Sequence, residues 1–221
     1  MSLKGTLRNL LVAGQFEHIA ELAQTRKRVL ASLVSLTYDH EQLVAWRAVE
    51  AVGIAASRIS VDDPGFVREH LRRLLWLISE ESGGVCWRAP EAMAEIVRRQ
   101  PRQYADYIPI VVYLIENIEK EDLEHLRSGT LRAIGRLAPI AGEHIPTVLP
   151  PVLASLREPD PQTRGMAVWC LAQLGELKAV ADDPMLAADS GPVVLYEDGQ
   201  LSSTTVSAIV RRALDARSTG G

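Results

Sequence analysis

Four segments of the chain share one pattern and begin at regular intervals. They start at Ala45, Cys86, Arg127 and Arg164, which lie 41, 41 and 37 residues apart. In each segment small residues, Ala or Gly, stand among Leu, Ile, Val or Met at helical spacing. Small residues allow neighbouring helices to approach closely, while the larger ones fill the shared core. A period of about 40 residues is typical of stacked helical repeats, so the sequence predicts a solenoid.

A partner helix precedes each of these segments. Two partner helices carry an Ile-Pro pair at matching positions, Ile108-Pro109 and Ile145-Pro146, which lie 37 residues apart. Proline is tolerated in the first turn of a helix, because its missing N–H would have no partner there. The predicted helices are residues 3–13, 16–23, 27–36, 42–58, 65–80, 86–99, 104–118, 123–138, 145–156 and 162–174.

The tail of the chain changes character. Two β-prone runs flank Asp198-Gly199, a dipeptide that strongly favours a tight hairpin turn. We therefore expect a hairpin over residues 192–206 and a final helix over 207–217, which together cap the last repeat. The predicted fold is an all-α, right-handed α-α superhelix with this β-hairpin cap. It forms a single domain over 1–221, with repeats over about 26–175 and the cap over 176–217.

Charge and composition disfavour several classes of function. The net charge is −4 and the pI about 5.8, whereas nucleic-acid binders usually carry a basic surplus, so DNA or RNA is disfavoured as a partner. Cys86 and Cys170 lack the spacing of a zinc site and are predicted to be buried thiols in a reducing compartment. The sequence shows no signal-peptide or membrane-span pattern, so we expect a cytoplasmic protein without a membrane partner.

The repeat unit resembles a known family. Its helix pair of about 40 residues, the Pro in its first helix, the turn PDPQTR at residues 159–164 and a small-residue second helix resemble HEAT repeats. Over roughly residues 26–175 the sequence is similar to the HEAT-like repeats of bacterial phycobilisome lyases. The resemblance implies a ladder in which a turn Asp pairs with an Arg of the second helix. Asp160 and Arg164 match both positions, and Arg127 matches the Arg alone.

The resemblance implies a scaffold rather than one reaction. HEAT-like deoxyhypusine hydroxylase holds iron with His-Glu pairs, but here only His40-Glu41 has that order and the other four pairs are reversed. Alkylpurine DNA glycosylases combine Trp residues with a catalytic Asp, and only Trp46, Trp87 and Trp169 match that pattern. A lyase-like tetrapyrrole handler or a glycosylase is the alternative function. We expect a non-catalytic protein-binding scaffold or adaptor without metal or cofactor, acting through the concave face of the solenoid.

Two Trp-Arg pairs, Trp46-Arg47 and Trp87-Arg88, begin second helices, and a Glu follows each Arg three residues later on the same helix face. One interpretation is an intrahelical ion pair beside a Trp that packs on the next repeat. The other is a recognition strip for a protein with an acidic or phosphorylated segment, because Trp and Arg are frequent binding hot spots. The predicted partner-binding residues are Trp46, Arg47, Glu50, Ser82, Gly83, Gly84, Trp87, Arg88, Glu91, Glu95, Arg127 and Arg132.

The run Ser82-Gly83-Gly84 stands directly before a predicted helix start. Glycines let backbone N–H groups turn outward, and a helix N-terminus carries partial positive charge, so this turn could hold a carboxylate or phosphate. The alternative is a tight turn between helices that Ser82 caps. The sequence leaves both interpretations open.

Overall fold

The structure, a computed structural model, describes residues 2–78, 88–118, 120 and 123–219. For residues 218 and 219 it describes the backbone alone. Within these ranges helices dominate, and the β-structure is a two-stranded sheet near the C-terminus. The predicted helical architecture with a small C-terminal hairpin is therefore confirmed. No helix in these ranges is both long and apolar enough to cross a bilayer.

The helices follow the predicted order along the chain. They are α1 (Leu3–Val12), α2 (Phe16–Thr25), α3 (Arg28–Leu36), α4 (Gln42–Ile59), α5 (Pro64–Ile78), α6 (Ala89–Arg99), α7 (Tyr107–Val112), α8 (Leu114–Asn117), α9 (Arg127–Leu137), α10 (Ile145–Ala154), α11 (Pro161–Leu174), α12 (Lys178–Ala181) and α13 (Pro184–Ala188). The hairpin strands β1 (Pro192–Glu197) and β2 (Gln200–Thr205) come next, and α14 (Val206–Thr219) follows them. Short 3-10 helices lie at Glu124–Leu126, Gly142–His144 and Ser155–Arg157.

The chain comprises two compact units. The first contains Met1–Tyr107 together with Tyr196–Leu201, and the second contains Ile108–Leu195 together with Ser202–Gly221. The tip of the hairpin thus belongs to the first unit, and the rest of the hairpin belongs to the second. The single domain expected over residues 1–221 stays a prediction.

Helix α4 is central to the first unit, where it packs against α2, α3 and α6. Ala48, Val52 and Ala55 are fully buried along it. Gly53 stands where α4 meets α6, and a β-carbon at this position would lie 2.5 Å from the backbone oxygen of Glu95. The absence of a side chain at Gly53 therefore allows these two second helices to approach closely, as the repeat pattern predicts.

Substituting Gly53 tests this close approach. Gly53→Ala should lower the free energy of unfolding by about 2 kcal/mol, because the added methyl meets backbone rather than a movable side chain. The higher helix propensity of Ala, about 1 kcal/mol, offsets part of the clash. Urea denaturation followed by circular dichroism measures the change. Gly142→Ala is the control, since nothing lies within 4 Å of its added β-carbon. Equal midpoints for both variants would contradict the inferred contact.

The second unit is built around the packing of α9 against α11. Gly135 lies against the ring of Trp169, which a β-carbon at residue 135 would strike. Asp160 caps the start of α11 by accepting hydrogen bonds from the backbone N–H groups of Gln162 and Thr163. Gly175 ends the helix with a left-handed φ of 77°. The Asp-Pro start and the terminal Gly explain why the bounds of α11 are nearly those predicted.

The hairpin has the turn that its sequence predicts. Asp198 has φ 49° and Gly199 has φ 73°, the two positive values of a type I′ turn. In the second unit, the side chain of Gln162 pairs with the backbone of Val194, donating to its oxygen at 3.0 Å and accepting from its nitrogen at 2.8 Å. A β-carbon at Gly165 would lie 2.5 Å from Val193, so β1 also packs closely against α11.

Several helix boundaries differ from the predictions. Helix α6 begins at Ala89, because Arg88, which the prediction includes in the helix, has φ −118° and ψ 20°, outside the helical range. The predicted start at residue 86 lies outside the described residues. The predicted helix over 104–118 is divided into α7 and α8. The N–H of Tyr113 donates to Pro109 four residues back, whereas the N–H of Glu116 donates to Tyr113 three residues back. This tightening of the hydrogen-bond step separates the two helices.

Helices α12 and α13 are absent from the predictions. Asp183 caps α13 by accepting hydrogen bonds from the backbone N–H groups of Met185 and Leu186, and Pro184 occupies its first turn. Asp183-Pro184 has the same Asp-Pro start as Asp160-Pro161, so this dipeptide was a usable signal in the sequence.

Candidate partner-binding surface

Trp46, near the start of α4, is the aromatic centre of a cluster in the first unit. The guanidinium carbon of Arg88 lies 4.1 Å from the centroid of its ring, within the range of a cation–π interaction. The indole also stacks with Tyr196, with the ring centroids 5.7 Å apart and the planes 9° apart. Trp46 and Arg88 are half-buried, whereas Tyr196 is buried. The Trp-Arg contact therefore joins two successive repeats instead of neighbours in sequence.

Charged side chains continue from this aromatic centre. Glu50, one turn after Trp46, accepts a 2.6 Å hydrogen bond from the hydroxyl of Tyr196 and lies 3.8 Å from the guanidinium of Arg99. Glu95 on α6 accepts a 2.7 Å hydrogen bond from Arg98 and lies 3.9 Å from Arg99. Arg99 of α6 thus lies between Glu95 of its own helix and Glu50 of α4.

These residues define a surface that we call the α4–α6 ridge. The side chains of Glu50, Arg98 and Arg99 are each about one-quarter exposed. Glu95 is buried. Because Arg98 and Arg99 are partly exposed, water and a ligand can reach them, while the buried Glu95 holds them in place. The α4–α6 ridge consists of Trp46, Glu50, Arg88, Glu95, Arg98 and Arg99.

Arg47 has a different environment from the ridge. Its Nη1 donates to the backbone oxygens of Leu11 and Val12, both at 2.8 Å, and its Nε donates to that of Gly199 at 2.9 Å. It is 8% exposed. The intrahelical interpretation pairs Arg47 with Glu50, but Arg47 contacts backbone oxygens of α1 and the hairpin tip. Glu50 contacts Tyr196 and Arg99. Arg47 thus joins α1, α4 and the hairpin tip within the first unit.

Glu91, in the first turn of α6, is 4% exposed. A carboxylate there is favourable, because the N-terminus of a helix carries partial positive charge. The residues Ser82, Gly83, Gly84 and Trp87, as well as Cys86, lie outside the described residues. The anion-binding turn at Gly83-Gly84 therefore stays a prediction.

The second unit contains the remaining predicted residues. Arg127 lies 3.5 Å from Glu158, and the guanidinium of Arg132 lies 5.3 Å from the centroid of the Trp169 ring. Both arginines are buried, at 6% and 7% exposure. A cleft of about 330 Å³ opens beside Arg127, and its lining includes Glu124, Glu158 and Asp160. Acidic side chains outnumber basic ones there, so this cleft does not favour an acidic ligand.

In the Asp–Arg ladder that the resemblance implies, the arginines pair with acidic residues other than Asp160. Arg164 donates to Asp189 at 2.7 Å, and this hydrogen bond holds the pKa of the Asp189 carboxyl below its usual range. The Nη1 of Arg164 also donates to the backbone oxygens of Glu158 and Pro159, both at 2.7 Å. Asp160 instead caps α11. The ladder in the second unit therefore pairs Arg127 with Glu158 and Arg164 with Asp189.

Candidate metal ligands are not brought together in the described ranges. There, no three His, Cys, Asp or Glu side chains are arranged to hold a metal ion. Cys170 is fully buried, and this burial raises the pKa of its thiol. It is therefore an inert core residue, as predicted for this position.

Three residues of this surface are missing from the predicted site. Arg98 and Arg99 belong to the α4–α6 ridge, and Tyr196 contacts it. Arg98-Arg99 is visible in the sequence as a basic pair at a helix end, a position that the helix dipole explains without a ligand. Tyr196 lies 146 residues beyond its partner Glu50. Sequence periodicity relates residues on one helix or on neighbouring repeats, so it carried no signal for this contact.

Comparison with known proteins supports the repeat. The family model for a HEAT-like repeat matches residues 124–174, the stretch from the 3-10 helix before α9 to the end of α11. An uncharacterized protein of Archaeoglobus fulgidus is 28% identical over 170 residues, which cover 76% of this chain and 86% of that protein. The family match is to the general HEAT-like repeat, and the likeness to phycobilisome lyases stays a prediction.

Solved repeat structures are also similar. The archaeal HEAT-like repeats protein from Thermococcus onnurineus NA1 is 19% identical, with a TM-score of 0.42 over 97% of this chain and 80% of that chain. The designed armadillo repeat protein YIII(Dq)4CqI is 21% identical, with a TM-score of 0.49 over 96% and 92%. Computationally designed armadillo repeat proteins for modular peptide recognition give 17% identity and a TM-score of 0.45 over 97% and 99%.

Proposed function

We propose that this protein is a non-catalytic scaffold or adaptor that binds another protein through its second helices. In helical solenoids these helices line the concave side, where extended partners bind. The matched HEAT-like repeat and the packing of α4 on α6 and of α9 on α11 support this proposal. The α4–α6 ridge is the proposed contact surface in the first unit.

The observation that carries the proposal is the guanidinium of Arg88 held over the ring of Trp46. The guanidinium is close enough to the ring for a cation–π interaction, and arginine is also the side chain that pairs with a carboxylate or phosphate through two N–H donors at once. Arg88 and Trp46 are both half-buried, so the pair is partly shielded from water and a ligand can still reach it. We therefore propose an acidic or phosphorylated segment as the partner chemistry.

The other ridge arginines fit the same partner. Arg98 and Arg99 are now paired with Glu95 and Glu50, and their side chains are 26% exposed. The Arg99–Glu50 pair is partly exposed on both sides, and such pairs contribute only about 0–1 kcal/mol, so a partner carboxylate can exchange with Glu50 at little cost. Glu95 is buried and keeps Arg98 as its partner. Residues from two helices would then contact one ligand segment.

Arg88→Ala tests this function. The probes are a fluorescein-labelled peptide rich in Asp and Glu, its Ser-phosphorylated form and a Lys-rich peptide of equal length. Fluorescence anisotropy should show that the variant binds the acidic or phosphorylated peptide about thirtyfold more weakly, because a hot-spot Arg contributes about 2 kcal/mol. The Lys-rich peptide should bind neither protein.

Arg72→Ala is the matched control, because Arg72 also belongs to the first unit and is 64% exposed beside Glu69. It removes one positive charge without touching the ridge. Equal weakening by both variants would indicate nonspecific charge attraction. Unchanged binding by folded Arg88→Ala would contradict the proposed role. If Arg88→Ala unfolds, Arg88 is instead a structural residue, as the alternative interpretation holds. A pull-down from native lysate with both variants then identifies the partner.

A further inference from the structure

The hairpin tip, Tyr196–Leu201, already contacts the α4–α6 ridge within the first unit. Its Tyr196 ring stacks on Trp46, and its Tyr196 hydroxyl donates to Glu50 at 2.6 Å. The backbone oxygen of Gly199 accepts from Arg47 at 2.9 Å. One aromatic side chain, one hydroxyl and one backbone carbonyl thus engage three side chains of α4.

These contacts have the form of peptide recognition. A repeat protein that binds a peptide holds its backbone with polar side chains and receives a few anchor side chains on aromatic or charged residues. The tip is only six residues long and fulfils both conditions. Because the type I′ turn preorganises it, little conformational entropy is lost when it binds.

The sequence of the tip also has the chemistry proposed for the partner. Tyr196 is followed directly by Glu197 and Asp198, so an aromatic anchor stands beside two acidic residues. We infer that the hairpin tip is an intramolecular ligand of the α4–α6 ridge, and that an external partner presenting an aromatic residue beside acidic residues competes with it. This inference rests on the proposed function for the identity of the surface.

Competition has a measurable consequence. A partner binds only the fraction of molecules whose tip is released, so its apparent affinity is reduced by that fraction. Weakening the tip without changing the ridge should therefore strengthen external binding by the same factor. Tyr196→Phe is such a change, because it keeps the aromatic stack on Trp46 and removes the hydrogen bond to Glu50.

The test uses the full chain and a labelled, head-to-tail cyclised peptide of residues 192–205 as the probe. Anisotropy should show about tenfold tighter binding to Tyr196→Phe than to the unmodified protein, the factor expected for one hydrogen bond to a charged group. Tyr196→Ala should bind tighter still. Adding Trp46→Ala to Tyr196→Phe should abolish binding, and a scrambled cyclic peptide should bind none of these proteins.

The outcomes separate this inference from the proposed function. Equal binding to the unmodified protein and Tyr196→Phe, or no binding to either, overturns the inference even if Tyr196→Ala fails to fold. If binding is equal but still weakened by Arg88→Ala, the ridge binds acidic partners and the tip does not compete. If Tyr196→Phe binds the cyclic peptide more tightly and Arg88→Ala has no effect, the tip competes with the partner and the proposed role of Arg88 is contradicted.

Discussion

Truncating the chain after Leu195 should lower its free energy of unfolding by about 4 kcal/mol or more. The truncation removes β2 and α14, whose residues Val206, Ile209 and Val210 are at most 2% exposed. Burying each such side chain contributes about 1.5–3 kcal/mol. The truncation also removes β2, the partner strand of β1, and so leaves Val193 of β1, which packs against Gly165, in an unpaired strand. The hairpin and α14 are therefore expected to stabilise the second unit.

Thermal unfolding followed by circular dichroism checks this expectation, and binding of a hydrophobic dye reports the apolar surface that truncation exposes. The control is truncation after residue 217, which removes only the last four residues. A melting curve unchanged by the longer truncation would show that the hairpin and α14 are appended to the repeats and do not cap them.

The second large effect is expected at Arg47. Arg47→Met should lower the free energy of unfolding by about 3 kcal/mol, because it removes the three hydrogen bonds that Arg47 donates to the backbone oxygens of Leu11, Val12 and Gly199. Met keeps much of the aliphatic volume, so packing changes little. The carbonyls of Leu11 and Val12 end α1, where a positive charge is favourable.

Urea denaturation of Arg47→Met and of Arg72→Met separates this structural role from a general charge effect. Arg72 is 64% exposed, so its substitution should change stability by less than about 0.5 kcal/mol. If Arg47→Met is as stable as the control and binds acidic peptides less well, Arg47 serves recognition, as the sequence pattern first indicated. A loss of stability in Arg47→Met alone supports the structural role.

The fold was largely predictable from the sequence because its signals are local and repeated. The bounds of α4 follow from helical spacing, those of α11 from spacing together with Asp160 and Gly175, and the hairpin from Asp198-Gly199. The start of α6 was placed too early, because the repeat alignment extends the helix through Arg88. Periodicity locates a helix well, but the backbone angles of its first residues depend on local geometry that the repeat does not specify.

The candidate site was less predictable, for a physical reason. Trp46 and Arg88 each stand at the predicted start of a second helix, and the structure brings them together. The ion pair expected between Arg47 and Glu50 assumed that charges three residues apart prefer one another. Such pairs on exposed helices are weak, at about 0.2–0.5 kcal/mol, whereas buried acceptors left without a donor cost more. The end of α1 and the hairpin tip supply those acceptors, and no local pattern relates either of them to α4.

The glycines between the second helices have a consequence for protein engineering. Gly53 and Gly135 occupy the same position of the repeat alignment, which Ala94 and Ala172 hold in the other two segments. Gly135 accommodates the Trp169 ring, while Gly53 accommodates the backbone of Glu95. The repeats are therefore not interchangeable modules. A longer array made by duplicating one repeat would require a glycine, or a smaller facing residue, to be designed anew at every junction.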